Sequence, residues 1–211
     1  GRSPGEIYLV GATKMNDTQR VREAIAAGLP ICGENRVQEL LQKNAEHAYD
    51  GAQLHFIGHL QKNKVRQIVG LVSLIHSVDS VELMAQIDRT AGSRGIVQDI
   101  LLEVNIGAEA AKSGFSSGDI PAALAAAAQF PALRVRGLMA VPPICADGEE
   151  NRPYFEAMKQ LFIDNSEKKY DNVIMDFMSM GMSGDYMTAI ECGANMVRVG
   201  SAIFGPRNYR L

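Results

Sequence analysis

Eight short, β-rich apolar runs alternate with helix-forming stretches along all 211 residues, and this alternation limits the possible folds more than any other feature. The runs are Glu6–Thr13, Leu29–Gly33, Gln53–His59, Ser73–Val78, Val97–Ile106, Leu133–Pro142, Ile174–Met180 and Asn195–Gly200. They begin about 20 to 40 residues apart, the span of one βα unit. Such alternation implies a parallel sheet, and near-continuous apolar strands fit a sheet covered on both faces. Eight units predict a closed (β/α)8 barrel; the competing open doubly wound sheet lacks its G-x-G-x-x-G fingerprint after the first strand. Seven helices are expected between the strands. Asp17 caps the first and Gly28 ends it, Pro121 sits in the first turn of the fifth, and the sixth is the longest. One domain takes up residues 1–211, with no linker.

Composition narrows the function. The net charge is −3 with no basic block, which argues against nucleic acid as the main partner. No apolar run approaches the roughly 20 residues that cross a bilayer, and "GRSPGEIYLV" lacks a signal-peptide layout. Cys32, Cys145 and Cys192 are odd in number and widely spaced. They fit neither a disulfide framework nor a zinc site, so a reducing, cytoplasmic setting is expected. No Ser-His-Asp order or G-x-S-x-G elbow occurs.

The stretch from Met180 to Ser201 carries the chemistry. Two strand ends there finish in small residues, "GMSGD" (Gly181–Asp185) and Gly200-Ser201. Such turns bring backbone N–H groups close to an anion, and in (β/α)8 barrels phosphate often sits after strands seven and eight. Lys14 follows the apolar "YLVGAT", so the first strand delivers its amine to the barrel mouth. Partial burial there, with Arg198 near, favours a neutral, nucleophilic amine; a plain surface lysine is the alternative. Arg198 lies within apolar "MVRVG" and needs a ligand or an ion pair, with Glu34 or Asp176 as candidates. His59 is read as either a site group or a cap for the third helix, Asn35 as a cap for the second, and His76 and Asp79 as structural.

Taken together, "YLVGATK", "CGENRVQEL", "LHFIGHLQKNK", "LIHSVDS", "LLEVNIGAEAAKSGF", "VRGLMAVPP", "FMSMGMSGDY" and "MVRVGSAIFGPRNY" resemble the pyridoxal phosphate homeostasis protein family. The resemblance covers nearly the whole chain. It implies a barrel of the alanine racemase N-terminal type that binds pyridoxal 5'-phosphate as a Schiff base on Lys14. It further implies that Ser179, Gly200 and Ser201 hold the phosphate and that Arg198 faces the pyridine nitrogen. An arginine there keeps that nitrogen unprotonated and weakens the electron sink on which most such enzymes rely. Asn35 and His59 belong to motifs near the cofactor. Cys32 stands where phenylalanine is usual, "MND" follows Lys14 where a lysine and a proline are common, and the helix before strand one is missing or shortened.

Three functions follow. The first is a monomeric carrier that buffers the cofactor for intracellular vitamin B6 homeostasis and hands it to apoenzymes, without robust catalysis. The second is an amino-acid racemase, which needs two bases. In alanine racemases the second is a tyrosine from a C-terminal domain that this chain, ending at Leu211, is expected to lack; Tyr154, Tyr186 and Tyr209 carry no mark of such a base. The third is a sugar-phosphate aldolase, whose lysine usually lies on a later strand; strand six here, "LRVRGLMAVP", has none.

Overall fold

A computed structural model describes residues 2–109, 113–167 and 170–206. Eight parallel strands, each hydrogen-bonded to its sequence neighbour, close into a barrel when β8 pairs with β1. They are β1 (Tyr8–Ala12), β2 (Ile31–Glu34), β3 (Gln53–Phe56), β4 (Leu74–Val78), β5 (Gln98–Val104), β6 (Leu133–Ala140), β7 (Val173–Ser179) and β8 (Met196–Val199). The helices are α1 (Thr18–Ala26), α2 (Val37–Ala45), α3 (Val65–Ile68), α4 (Val81–Ser93), α5 (Ile120–Ala127), α6 (Arg152–Ser166), α7 (Tyr186–Glu191) and α8 (Ser201–Phe204). The expected barrel is thus present, with two differences in its helices. The third is a 3-10 turn (Lys62–Lys64) running into the single turn of α3, stopped by Gly70 at φ +77°. One further turn of helix, α8, follows β8.

Local chemistry sets the element ends. The Asp17 carboxylate accepts from Arg20 N–H at the start of α1, and the Ser80 hydroxyl accepts from Leu83 N–H at the start of α4. At the barrel's base, a 3-10 turn (Pro4–Glu6) stands where a helix was expected to be absent or cut short. Arg2, just before it, donates to the Ala194 carbonyl at 2.6 Å. Four register pairs, from Tyr8 with Met196 to Gly11 with Val199, close the seam.

Two apolar cores fit a barrel wrapped by helices. A small inner one takes a single residue from each of six strands: Val10, Ile31, Leu74, Leu101, Met139 and Met196. A larger one packs outward-facing strand residues such as Phe56, Ile75 and Ile100 against helix residues such as Leu40, Ile87 and Phe155. Near the base, Arg136 lies 4.9 Å over the Phe177 ring and bonds Asp99 and Asp176, each at 2.6 Å. Among the described residues no helix is long and apolar enough to cross a membrane.

Candidate functional site

At the C-terminal mouth of the barrel lies a pocket of about 590 Å³. Lys14, Asn35, Arg198, Gly200 and Ser201 all line it, with Arg20, Met182, Ser183 and Gly184. The strands explain the convergence: all but Arg20, which reaches in from α1, lie at or just past the carboxyl end of β1, β2, β7 or β8.

Lys14 is half-buried on the turn between β1 and α1, beside Met15, whose φ of +60° is unusual for a residue with a side chain. Asn35 follows β2. It caps nothing: Arg36 takes the cap position of α2, and the buried Asn35 Oδ1 has no hydrogen-bond partner. Gly58 holds Asn35 in place by close approach, since a Cβ on Gly58 would stand 2.1 Å from the Asn35 carbonyl oxygen. The turn after β7 meets the turn after β8 through Ser183. Its hydroxyl oxygen accepts from Gly200 N–H at 3.0 Å and from Ala202 N–H at 3.4 Å.

Arg198 is buried beneath these turns. It donates to Ser179 Oγ at 2.7 Å and to the Ala140 carbonyl at 2.9 Å. Glu34 and Asp176 are engaged elsewhere, with Lys43 and Arg136, so neither is its ion pair. Burial pulls the Arg198 guanidinium down to about 10, with Glu103 and Asp185 acting against the fall. The group therefore stays charged at neutral pH and keeps N–H donors beyond the two bonds named.

Two expected site residues lie elsewhere. Ser179 is fully buried inside the barrel, bonded to Arg198 and, at 3.1 Å, to His76 Nδ1. It belongs to the strand, one layer below the mouth, whereas Ser183 lies in the turn beyond. His59, three residues past the end of β3, is exposed. It faces Asp79 at 3.5 Å across a separate depression of about 410 Å³, and caps no helix. His76 is structural, as expected: it links Ser179 to His55 (Nδ1 to Nε2, 3.0 Å) in a chain of buried side chains ending at Arg198.

Sequence reasoning missed Glu103, Arg20 and the particular role of Ser183. Glu103 interrupts the apolar "ILLEV" of β5 in step with inward-facing Leu101, a signal the same as the one that drew attention to Arg198. Burial raises its carboxyl group, as does Asp79, while Arg198 opposes the shift. Tyr209 lies outside the described residues, and among those described no tyrosine lines the pocket. No group of three or more His, Cys, Asp or Glu among the described residues is placed to hold a metal.

A closed parallel barrel with a pocket at its C-terminal mouth, lined by a lysine, a buried arginine and two small-residue turns, places the chain in the class of (β/α)8 barrel proteins. The family model "Alanine racemase, N-terminal domain" matches residues 12–208. A pyridoxal phosphate homeostasis protein of Aquifex aeolicus is 41% identical over 209 residues, covering 99% of this chain and 91% of its own. PipY of Synechococcus elongatus superposes without PLP at a TM-score of 0.89 and 33% identity, covering 97% of this chain and 95% of its own. With PLP bound it superposes at 0.86 and 32% identity, over the same shares. The chain belongs to the alanine racemase N-terminal family and, within it, to the pyridoxal phosphate homeostasis proteins.

Proposed function

We propose that this chain binds pyridoxal 5'-phosphate in the mouth pocket and serves as its carrier in vitamin B6 homeostasis. The observation that carries the reading is the meeting of Lys14, Arg198 and the Ser183–Gly200 turns in one pocket of about 590 Å³. The donor set fits the group. The Ser183 and Ser201 hydroxyls offer donors for a phosphate on the pocket wall, and Gly200 lets the ligand approach the main chain. Lys14 supplies an amine for an aldehyde, and Asn35, whose buried Oδ1 lacks a partner, lines the same wall.

Bound pyridoxal phosphate supplies an electrophilic aldehyde and an electron-accepting ring. The chain's own residues limit its use. Arg198 remains protonated at neutral pH, so toward a ring nitrogen it acts as a hydrogen-bond donor and transfers no proton. Ser179 and the Ala140 carbonyl fix the guanidinium from the barrel side. The barrel closes within one chain, which fits a monomer. Buried Cys32 and Cys192, neither in a disulfide, support a cytoplasmic setting.

Equilibrium titrations with pyridoxal phosphate, pyridoxal and inorganic phosphate test the reading. The phosphorylated aldehyde is expected to bind at least about tenfold tighter than pyridoxal, since charge-assisted bonds contribute about 1.5–3 kcal/mol each. Equal affinities would remove the phosphate cradle from the account. Exchange of amino-acid α-protons in deuterated water at enzyme-like rates would instead favour the racemase.

A further inference from the structure

Behind Lys14 lies a buried charged cluster that the proposed binding role does not use. Glu34, on β2, is fully buried, and Lys43, on α2, nearly so. Lys43 Nζ bonds Glu34 Oε1 and Glu39 Oε1, each at 2.7 Å. Glu34 Oε1 also accepts from Thr13 Oγ1 at 2.7 Å and from the Tyr49 hydroxyl at 3.1 Å. Burying such charges carries a desolvation penalty that their mutual attraction must offset, so a cluster that serves stability alone is a poor use of them.

Its contacts with the main chain are specific. Lys43 Nζ donates to the Thr13 carbonyl at 2.8 Å, which holds the peptide group before Lys14. Glu39 Oε1 accepts from Met15 N–H at 2.6 Å, which holds the peptide group after it. Asn16 Nδ2 donates to the Lys14 carbonyl at 3.1 Å and holds that second group from its other side. The two dihedral angles of a residue are the rotations between its flanking peptide planes. Two side chains one turn apart on α2 therefore fix the backbone of Lys14 and the direction in which its side chain leaves the loop. The Glu39 bond also borders the positive φ of Met15, a strained conformation that persists only where surrounding structure imposes it.

We infer that Glu39 and Lys43, anchored by Glu34, are positioning residues that aim Lys14 at the mouth pocket. The inference rests on the reading of Lys14 as the amine that meets the cofactor aldehyde. In that condensation the amine nitrogen bonds the aldehyde carbon and one water leaves. A misdirected amine loses rate steeply, because misplacement by an ångström can cost about a hundredfold.

Glu39 is the residue to vary, since it lies at the partly exposed edge of the cluster, whereas losing Lys43 strands the Glu34 carboxylate. Two readouts are needed: the rate of covalent attachment of pyridoxal phosphate, followed by absorbance, and hydrogen exchange of the Met15 amide in cofactor-free protein. Glu39→Ala is expected to slow attachment at least about tenfold and to speed Met15 exchange. Glu39→Gln keeps an acceptor for the Met15 N–H and is expected to restore both to within about threefold of wild type. Wild-type rates in Glu39→Ala overturn the inference. So does equal slowing in both variants with Met15 exchange unchanged, which points to lost charge and not to a lost clamp. If the wild-type chain takes up no pyridoxal phosphate, the binding role fails, and slow wild-type Met15 exchange that Glu39→Ala leaves unaltered dismisses the clamp separately.

Discussion

At the scale of single residues, the pocket separates two serines that the sequence places close together. Ser183 has its hydroxyl among the Gly200 and Ala202 N–H groups, while Ser179 supports Arg198 from inside the barrel. Ser183→Ala is expected to weaken pyridoxal phosphate binding about tenfold and leave pyridoxal binding unchanged. Ser179→Ala is expected to keep the preference for the phosphorylated form, since it disturbs the arginine and not the cradle. Titrating both aldehydes against both variants checks the assignment, and a lost preference in Ser179→Ala would return that serine to the phosphate. Sequence alone could not separate the two, because strand parity sends Ser179 inward only once the end of β7 is known. The turn holding Ser183 was legible from its glycines, and Lys14 from the apolar run before it. Asn35 was named through its motif, but only the fold shows that its carboxamide oxygen lacks a partner.

At the scale of elements, the strands were legible because each is a continuous apolar run, and the long helices because they carry caps and one apolar face. The shortened α3 and the single turn of α8 were not, since helices of one turn leave almost no periodic signal. The strand pairings carry a requirement of their own at Gly137. Its φ is +138°, and a Cβ there would stand 2.0 Å from the Phe177 carbonyl oxygen of β7. It lies where the register between β6 and β7 shifts, between Val135 and the Gly137 pair. Gly137→Ala is expected to destabilise the fold by about 3 kcal/mol through combined strain and overlap, read as a fall in the denaturant midpoint. A midpoint equal to wild type would contradict the tight β6–β7 approach.

For the whole molecule, the interior chain makes stability depend on pH. Burial holds His55 down to about 4, from an ordinary 6.5, and holds His76 well below that ordinary value, with His55 and Arg198 adding to the effect on His76. Both are neutral in the fold, so between about pH 6.5 and 4 the unfolded chain binds more protons than the folded one. Their contribution is complete above pH 6.5 and is lost as pH falls through that window, by up to about 1.4 kcal/mol per pH unit for each histidine. Urea unfolding at pH 7 and pH 5 is expected to show the loss, and His55→Gln to lessen it. A His55→Gln variant with the wild-type slope would separate His55 from acid sensitivity.

Covalent attachment at Lys14 is the central claim, and borohydride reduction of the protein mixed with pyridoxal phosphate, followed by peptide mass mapping, tests it most directly. The account predicts one stable adduct, on the peptide carrying Lys14, and its loss in Lys14→Ala. Labelling spread evenly over surface lysines, or unchanged in Lys14→Ala, would contradict it.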